Sequence, residues 1–319
     1  MIPTINLQQI EVTGEGLSEL DAACREHGFF LLSHHGLDKA INSMWAASRA
    51  FFAEPSVVKR EVERTDSIPL GYYDRELTKR QRDLKEVFDY MQSRADGSDL
   101  NQWPAGRPEF RRAMDDFFDA ASQVAERTLA QVYRALGATS PRDATLPHGD
   151  ARTSTVRLNY YPPNDPLSPE EQAETTGLGD MALHHHTDPG ILTLLVQDMS
   201  GGLQTLSTER GWLDVTPEAG TIVVNLGDAM QVWSNDLYRA AIHRVLPMRD
   251  IGCSGRFSTP YFFNPSRDAV LEPLSALSDT APQYRSFTWK DYIKGRVDDN
   301  FADIGEDDIQ IERFRISQA

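Results

Sequence analysis

The chain has 319 residues, 40% of them hydrophobic and 25% charged. That is ordinary globular composition, with length enough for a substantial core in one large or two small domains. A net charge of −16, from 48 acidic against 32 basic residues, repels phosphate backbones and anionic surfaces and argues against nucleic-acid and membrane partners. Two distant cysteines, Cys24 and Cys253, form no disulfide or metal-binding framework and fit free thiols in a reducing cytoplasm. The opening residues lack a charged-then-apolar leader, and no run of 18 apolar residues occurs, so neither export nor a membrane span is expected.

Residues 1–150 read as mainly helical. Ile2 to Leu7 looks like a short strand, and Leu17, Leu20 and Cys24 keep helical spacing up to a stop at Gly28. Phe29-Phe30-Leu31-Leu32 is a short apolar run, read as a buried strand. A second helix carries Ile41, Met44, Trp45, Ser48, Phe51 and Phe52 and ends before Pro55. Residues 69–92 are less regular. From Pro108 to Gly137 a long amphipathic pattern runs through Phe110, Met114, Phe117, Ala121, Val124, Leu129 and Val132, with a proline at the tolerated first-turn position and a glycine as the stop. Such a helix backs a sheet, and its apolar stripe is core.

Beyond residue 150 the period shortens. Val156–Tyr161 reads as a strand, followed by a polar loop from Pro162 to Asp180 that is long enough to be functional or mobile. Ile191–Gln197, Leu203–Thr205, Thr221–Asn225 and Arg256–Phe263 read as strands, with glycine-bearing turns at 200–202, 209–211 and 218–220 between them. Many short strands at this spacing suggest a two-sheet jelly roll. Phe287 to Val297 looks helical, and Ile309, Ile311, Phe314 and Ile316 tie down an acidic tail. No internal repeat, low-complexity segment or linker near residue 150 is evident. The expected class is therefore α+β with a mainly β core. It divides into a helical region (1–150), a jelly-roll core (151–270) and a C-terminal helix and tail (271–319), packed as one structural unit.

One stretch carries the chemistry. It opens Leu183-His184-His185-His186-Thr187-Asp188-Pro189-Gly190. Residues i and i+2 of an extended strand face the same way, so His186 and Asp188 share a side and Thr187 turns away. His243, in Ala241-Ile242-His243-Arg244-Val245, can add a third ligand from another strand. Two imidazoles and one carboxylate occupy one face of an octahedral metal and leave the other positions open, the donor set of non-haem Fe(II) oxygenases. Arg256 and Ser258 repeat the two-residue spacing. A guanidinium fork grips a carboxylate at two points, and the hydroxyl adds a further donor. His184 and His185 offer competing registers, but only His186 has a carboxylate two residues on. Alone, Asp188 would pass for a turn residue, His243 for a core histidine and Arg256 for a surface ion-pair partner; in this order they read as one site.

These motifs resemble those of the isopenicillin N synthase-like branch of the 2-oxoglutarate- and Fe(II)-dependent oxygenases. The matching elements are Arg-Leu-Asn-Tyr-Tyr-Pro-Pro at 157–163, His-Thr-Asp at 186–188, Gly-Gly-Leu-Gln at 201–204, Val-Val-Asn-Leu-Gly-Asp at 223–228, His-Arg-Val at 243–245 and Arg-Phe-Ser at 256–258. The resemblance implies a double-stranded β-helix, iron ligation and catalysis by His186, Asp188 and His243, and 2-oxoglutarate carboxylate binding by Arg256 and Ser258. Asn159 and Tyr161, two residues apart on one strand face, are implied helpers near the co-substrate. Fe(II), 2-oxoglutarate and O2 are the implied reactants, with ascorbate as an accessory reductant. The implied reaction releases succinate and CO2 and oxidises a small molecule. Hydroxylation is the default, and desaturation or ring closure are its variants. The partner is a small-molecule substrate rather than nucleic acid or membrane, and the assembly a monomer or weak homo-oligomer.

Arg256 stands thirteen positions after His243, a few more than the family spacing, which fits a longer turn over 249–255. Arg249 is a weaker anchor because no serine follows it at i+2. The family places substrate contacts in its N-terminal part, where Tyr72, Tyr73, Lys85 and Phe88 are candidates against a reading as packing residues. Phe263 and Gln231 are further candidates for the cavity, whereas Asn225 and Asp228 read as turn residues. Two rival functions are a same-fold Fe(II) oxidase that does not use 2-oxoglutarate (cyclising or ethylene-forming) and a non-catalytic metal- or ligand-sensing jelly roll. The second has no need for open metal positions.

Overall fold

Two sheets face each other at the centre of the molecule. The computed structural model describes residues 2–78, 81–138, 146–179, 181–207, 209–247, 255–301 and 310–316. Its N-terminal part contains β1 (Thr4–Asn6), α1 (Leu7–Thr13), α2 (Leu17–Glu26), β2 (Phe29–Ser33), α3 (Asp38–Phe52), β3 (Gly71–Tyr73), β4 (Glu86–Met91) and α4 (Pro108–Ala135). Then come β5 (Thr155–Tyr161), α5 (Pro169–Ala173), β6 (Leu183–His186), β7 (Leu192–Gln197), β8 (Leu203–Ser207), β9 (Gly211–Asp214) and β10 (Thr221–Leu226). The chain finishes with α6 (Asp228–Trp233), β11 (His243–Val245), β12 (Arg256–Phe263) and α7 (Trp289–Phe301). The large sheet has the order β1-β2-β10-β7-β12-β5-β4-β3, and the small one β9-β8-β11-β6.

Alternation along the large sheet decides what each face does. One face carries Phe30, Leu32, Val156, Leu158, Leu194, Val224 and Tyr261 and packs against α3 and α4 through Phe51, Met114 and Phe117. At 28 residues, α4 is roughly 42 Å long at the usual rise, and it spans the back of the sheet. The rings of Phe51, Phe88 and Phe110 meet at centroid distances of 5.2–5.3 Å; truncating one such ring costs about 3–5 kcal/mol. The opposite face carries Phe29, Leu31, Tyr161 and Val223 and meets Leu203 and Val245 of the small sheet. The site lies in this inner space.

The jelly-roll core and the long helix stand as the sequence suggested. Residues 1–150 hold the expected helices, but they also supply four of the eight strands of the large sheet. In β4, residues Glu86 to Tyr90 are all buried, so two buried carboxylates, one on each face, erase the polar-apolar alternation by which a strand is recognised. The opening strand stops at Asn6, whose side-chain oxygen accepts from Gln9 N at 3.0 Å and starts α1 instead. The 162–180 loop contains the short helix α5, capped by Ser168 and Glu171 in a reciprocal box.

At the C-terminus Ile311 is buried and Phe314 stacks on Phe287 at 3.7 Å, while Ile316 is 48% exposed. Ile309, Arg249 and Cys253 lie outside the described residues. Among those described, no helix is long and apolar enough to cross a membrane.

Candidate metal centre and carboxylate anchor

Strand pairing brings the three expected ligands together. In the small sheet β11 lies antiparallel to β6, with His243 directly opposite His186. Their rings sit 4.4 Å apart, and Asp188 joins them from the loop just after β6. One ligand atom from each of His186, Asp188 and His243 falls within 4.8 Å of the others. These three could hold one ion.

The surroundings orient each donor. Nδ1 of His186 lies 2.9 Å from the His184 carbonyl, and Nδ1 of His243 2.9 Å from the Ala241 carbonyl. A carbonyl only accepts, so both Nδ1 atoms carry a proton, and Nε2 is the nitrogen that bears the lone pair in the neutral form of each ring. Those Nε2 atoms face Asp188 Oδ1 at 3.7 and 3.9 Å. The other carboxylate oxygen, Oδ2, accepts from Thr193 Oγ1 at 2.5 Å and Asn225 Nδ2 at 2.8 Å. Bonds of this kind fix the orientation of a metal ligand. Burial, with His243 alongside, pushes the His186 imidazole down to about 3, so it is neutral. Burial pushes the Asp188 carboxyl up, but the two histidines and the donors Thr193 and Asn225 more than offset this and hold it below its ordinary value.

The loop is held by tight backbone approach. Asp228 N donates to the Asp188 carbonyl at 2.8 Å, and Ala229 N to that of Gly190 at 3.1 Å. These are N–H groups of the first turn of α6, which have no partner within the helix itself. A Cβ on Gly227 would sit 2.3 Å from the Gly190 oxygen, which accounts for the glycine in Val-Val-Asn-Leu-Gly-Asp.

The carboxylate anchor lies on the inner face of the large sheet. Arg256 is opposite Tyr161, and Ser258 has Asn159 on one side and Gln197 on the other. Arg256 is 1% exposed. Its Nε donates to the Gly201 carbonyl at 2.9 Å and its Nη1 to Ser258 Oγ at 3.1 Å, and its carbon centre lies 5.0 Å from the Tyr161 ring centroid. Its Nη2 is buried with no hydrogen-bond partner among the described residues, and the same holds for Gln197 Oε1. An unmatched buried guanidinium N–H costs free energy unless an anion meets it. The cleft thus suits a carboxylate.

Other expectations divide. His185 is exposed, its ring near Trp212, whereas His184 points to Asp83, Nδ1 to Oδ1 at 3.8 Å. Tyr72 and Phe88 belong to the helix-side core, not the cavity. Tyr73 lies beneath the Arg64 guanidinium, and Lys85 pairs with Glu76 and Asp83. Phe263 also faces the helices, and Gln231 pins Asp236 and Ala240. Asn225 and Asp228 do more than satisfy a turn. The amide of Asn225 holds Asp188, and the carboxylate of Asp228 accepts from Thr187 and Tyr292. The sequence offered a signal for Asn225, since it is two residues beyond inward-facing Val223. The same spacing connects Thr193 and Gln197 through Leu195.

The sequence matches the family description "2OG-Fe(II) oxygenase superfamily" over residues 152–265 and "non-haem dioxygenase in morphine synthesis N-terminal" over residues 2–106. It is 30% identical over 300 residues to a gibberellin 2-beta-dioxygenase of Arabidopsis thaliana, spanning 92% of this chain and 89% of the relative. With a 2-oxoglutarate-Fe(II) type oxidoreductase of Emericella nidulans it shares 31% identity, over 90% of this chain and 85% of that one. Among solved structures, the rice dioxygenase for auxin oxidation superposes with a TM-score of 0.74 at 26% identity, covering 99% of this chain and 100% of that one. A full-length Neurospora crassa protein solved in complex with alpha-KG shares the fold, with a TM-score of 0.78 at 24% identity over 93% of this chain and 96% of that one.

Proposed function

The chain belongs to the isopenicillin N synthase-like branch of the 2-oxoglutarate- and Fe(II)-dependent oxygenases, and on that premise we propose which residues run its reaction and on what kind of substrate. It is a 2-oxoglutarate-dependent Fe(II) dioxygenase. His186 and His243 hold iron through Nε2 and Asp188 through Oδ1, the atoms that the surrounding hydrogen bonds leave available. Arg256 and Ser258 bind the far carboxylate of 2-oxoglutarate, with Asn159, Tyr161 and Gln197 beside them. The observation that carries this reading is the buried Nη2 of Arg256, an N–H donor with no acceptor among the described residues.

When bound, iron and 2-oxoglutarate supply an O2-dependent oxidation coupled to decarboxylation of 2-oxoglutarate to succinate and CO2. The protein's residues prepare for it. A neutral His186 accepts a cation without first losing a proton. Thr193 and Asn225 keep one Asp188 oxygen occupied, so the other is presented to the metal. Phe29, Leu31 and Val223 line the inner space with apolar surface and limit water. The substrate is a small molecule and the outcome hydroxylation, in line with relatives named as a gibberellin dioxygenase and a homoarginine hydroxylase. A cytoplasmic monomer or weak homo-oligomer completes the reading, and the buried free thiol of Cys24 fits it.

Anaerobic titration of the protein with Fe(II) and 2-oxoglutarate tests this by the visible charge-transfer absorption of the chelate. A band that His186→Ala abolishes and Arg256→Ala weakens is the expected result. A folded wild-type protein that gives no band, or a band indifferent to both variants, overturns the residue assignment.

A further inference from the structure

The Thr187–Pro189 segment belongs to no strand or helix, so its carbonyls need partners from elsewhere. Each has one. The Thr187 oxygen accepts from Arg296 Nη2 at 2.6 Å, the Asp188 oxygen from Asp228 N at 2.8 Å, and the Pro189 oxygen from Trp289 Nε1 at 3.4 Å. Two of the three donors come from α7. The third belongs to Asp228, whose carboxylate oxygen Oδ2 accepts from Tyr292 OH at 2.5 Å and from Thr187 Oγ1 at 3.3 Å. Trp289, Tyr292 and Arg296 follow one another at i, i+3 and i+7, the spacing that puts three side chains on one helix face. All three are buried, and the exposed residues between them include Lys294. Arg296 is in turn tied through Nη1 to Gln310 Oε1, just ahead of the turn that buries Ile311.

We infer that this face of α7 is part of the metal site: Arg296, Tyr292 and Trp289 are positioning residues that hold the backbone from Thr187 to Pro189, around the ligand Asp188. The inference rests on the ligand assignment proposed above. None of the three supplies one of the clustered ligand atoms. They act by denying the loop alternative backbone arrangements, as the outer partners of metal ligands do when they fix ligand direction. Packing alone would need only the apolar parts of α7. Here two side-chain N–H groups are aimed at the carbonyls on either side of Asp188, a hundred or more residues away in the chain.

The test compares wild type with Arg296→Met, Arg296→Lys, Tyr292→Phe and two controls. Lys294→Met alters an exposed position on the same helix. Ile311→Val loosens the tail packing without touching the loop. Two readouts are taken: Fe(II) affinity in the presence of 2-oxoglutarate, and amide hydrogen exchange of the 187–191 segment in metal-free protein. Arg296→Met should weaken Fe(II) binding by about tenfold or more, the range for lost outer partners of a metal ligand, and speed exchange in the segment. Arg296→Lys should recover part of both, Tyr292→Phe should shift both in the same direction, and the two controls should change neither. If Arg296→Met folds poorly, Tyr292→Phe decides, since it removes one hydroxyl and no packing. The inference is overturned if Arg296→Met and Tyr292→Phe leave affinity and exchange unchanged, or if Ile311→Val moves them equally. Wild-type protein that binds no iron would sink the ligand assignment instead, while the exchange readout still reports whether α7 holds the loop.

Discussion

Two buried groups of charges sit on the inner side of the molecule, and they are built on opposite rules. The first is the triad of His186, Asp188 and His243. The second is an ion network on the N-terminal strands. There Arg157 grips both oxygens of Asp89, at 2.7 and 2.8 Å, and meets Glu76 at 2.8 Å. Lys85 pairs with Glu76 at 2.9 Å and Asp83 at 3.0 Å, and Arg64 with Glu76 at 2.9 Å. The network is closed: three cations face three carboxylates, and the surrounding cations hold Glu76 far below its usual range against the upward push of burial. The triad is open: one carboxylate and two imidazoles whose ligand atoms face one another. The anchor shares that openness through Arg256 Nη2. Buried charge that is satisfied within the chain is architecture, and buried charge left incomplete marks where something else must bind.

Removing a triad member should therefore abolish binding while leaving the fold intact. Asp188→Ala is expected to eliminate Fe(II) binding and turnover. Its thermal midpoint in the presence of a chelator should fall only modestly, because Thr193 and Asn225 lose an acceptor while no buried charge is left without a partner. Chelator should lower the midpoint of iron-loaded wild type and leave that of the variant unchanged, since a bound ion stabilises the folded state by mass action. Calorimetry with and without chelator checks both. The closed network should respond in the opposite way. Arg157→Met leaves Asp89 and Glu76, whose side chains are only 11% and 12% exposed, short of a cation and should cost up to about 3–5 kcal/mol of stability, with Fe(II) affinity per folded molecule kept. Denaturant unfolding beside iron titration measures the pair. Equal loss of stability in both variants would erase the distinction between the two groups.

The same contrast explains what could be read from the sequence. The two-residue spacing singled out His186 with Asp188 and Arg256 with Ser258, although Asp188 lies in the loop after β6 rather than on the strand, and the order of the motifs supplied His243. The jelly roll was legible from short strands with glycine turns, and α4 from an apolar stripe held over its whole length. Little in the local sequence announced the network, because Arg157 stands 68 positions from Asp89 and 81 from Glu76. Charged residues buried on β4 instead masked a strand. Tyr72 and Phe88 looked like pocket residues because sequence gives an aromatic ring no direction. The strand register turns both to the helices.

Arg256→Met sharpens the comparison at the anchor. Losing charge-assisted hydrogen bonds to a carboxylate costs about 1.5–3 kcal/mol, so the 2-oxoglutarate requirement should rise roughly 10- to 100-fold. Iron binding without 2-oxoglutarate should stay near wild type, and parallel titrations with and without the co-substrate separate the two. A fall in iron affinity without 2-oxoglutarate would join the anchor to the triad as a single unit.

The smallest effect belongs to an ion cluster that water still reaches. Glu171 caps α5 and pairs with Arg60 at 2.6 Å and Arg75 at 2.8 Å, yet its side chain is 29% exposed. The backbone N–H of Ser168, with Arg60 beside it, pulls its carboxyl from 4.5 down to about 2. A lowered folded-state value means the ionised form is favoured by folding. Its contribution is fully present above about pH 4.5 and is lost as the pH falls toward 2. Glu171→Gln should cost no more than about 1 kcal/mol at neutral pH, as for exposed ion pairs. The gap to wild type should narrow on acidification below about pH 4.5 and close toward pH 2. A gap as large as that of Arg157→Met, or one that widens in acid, would mean that solvent access does not set the value of these pairs. The divide between closed and open charge would then need a different physical basis.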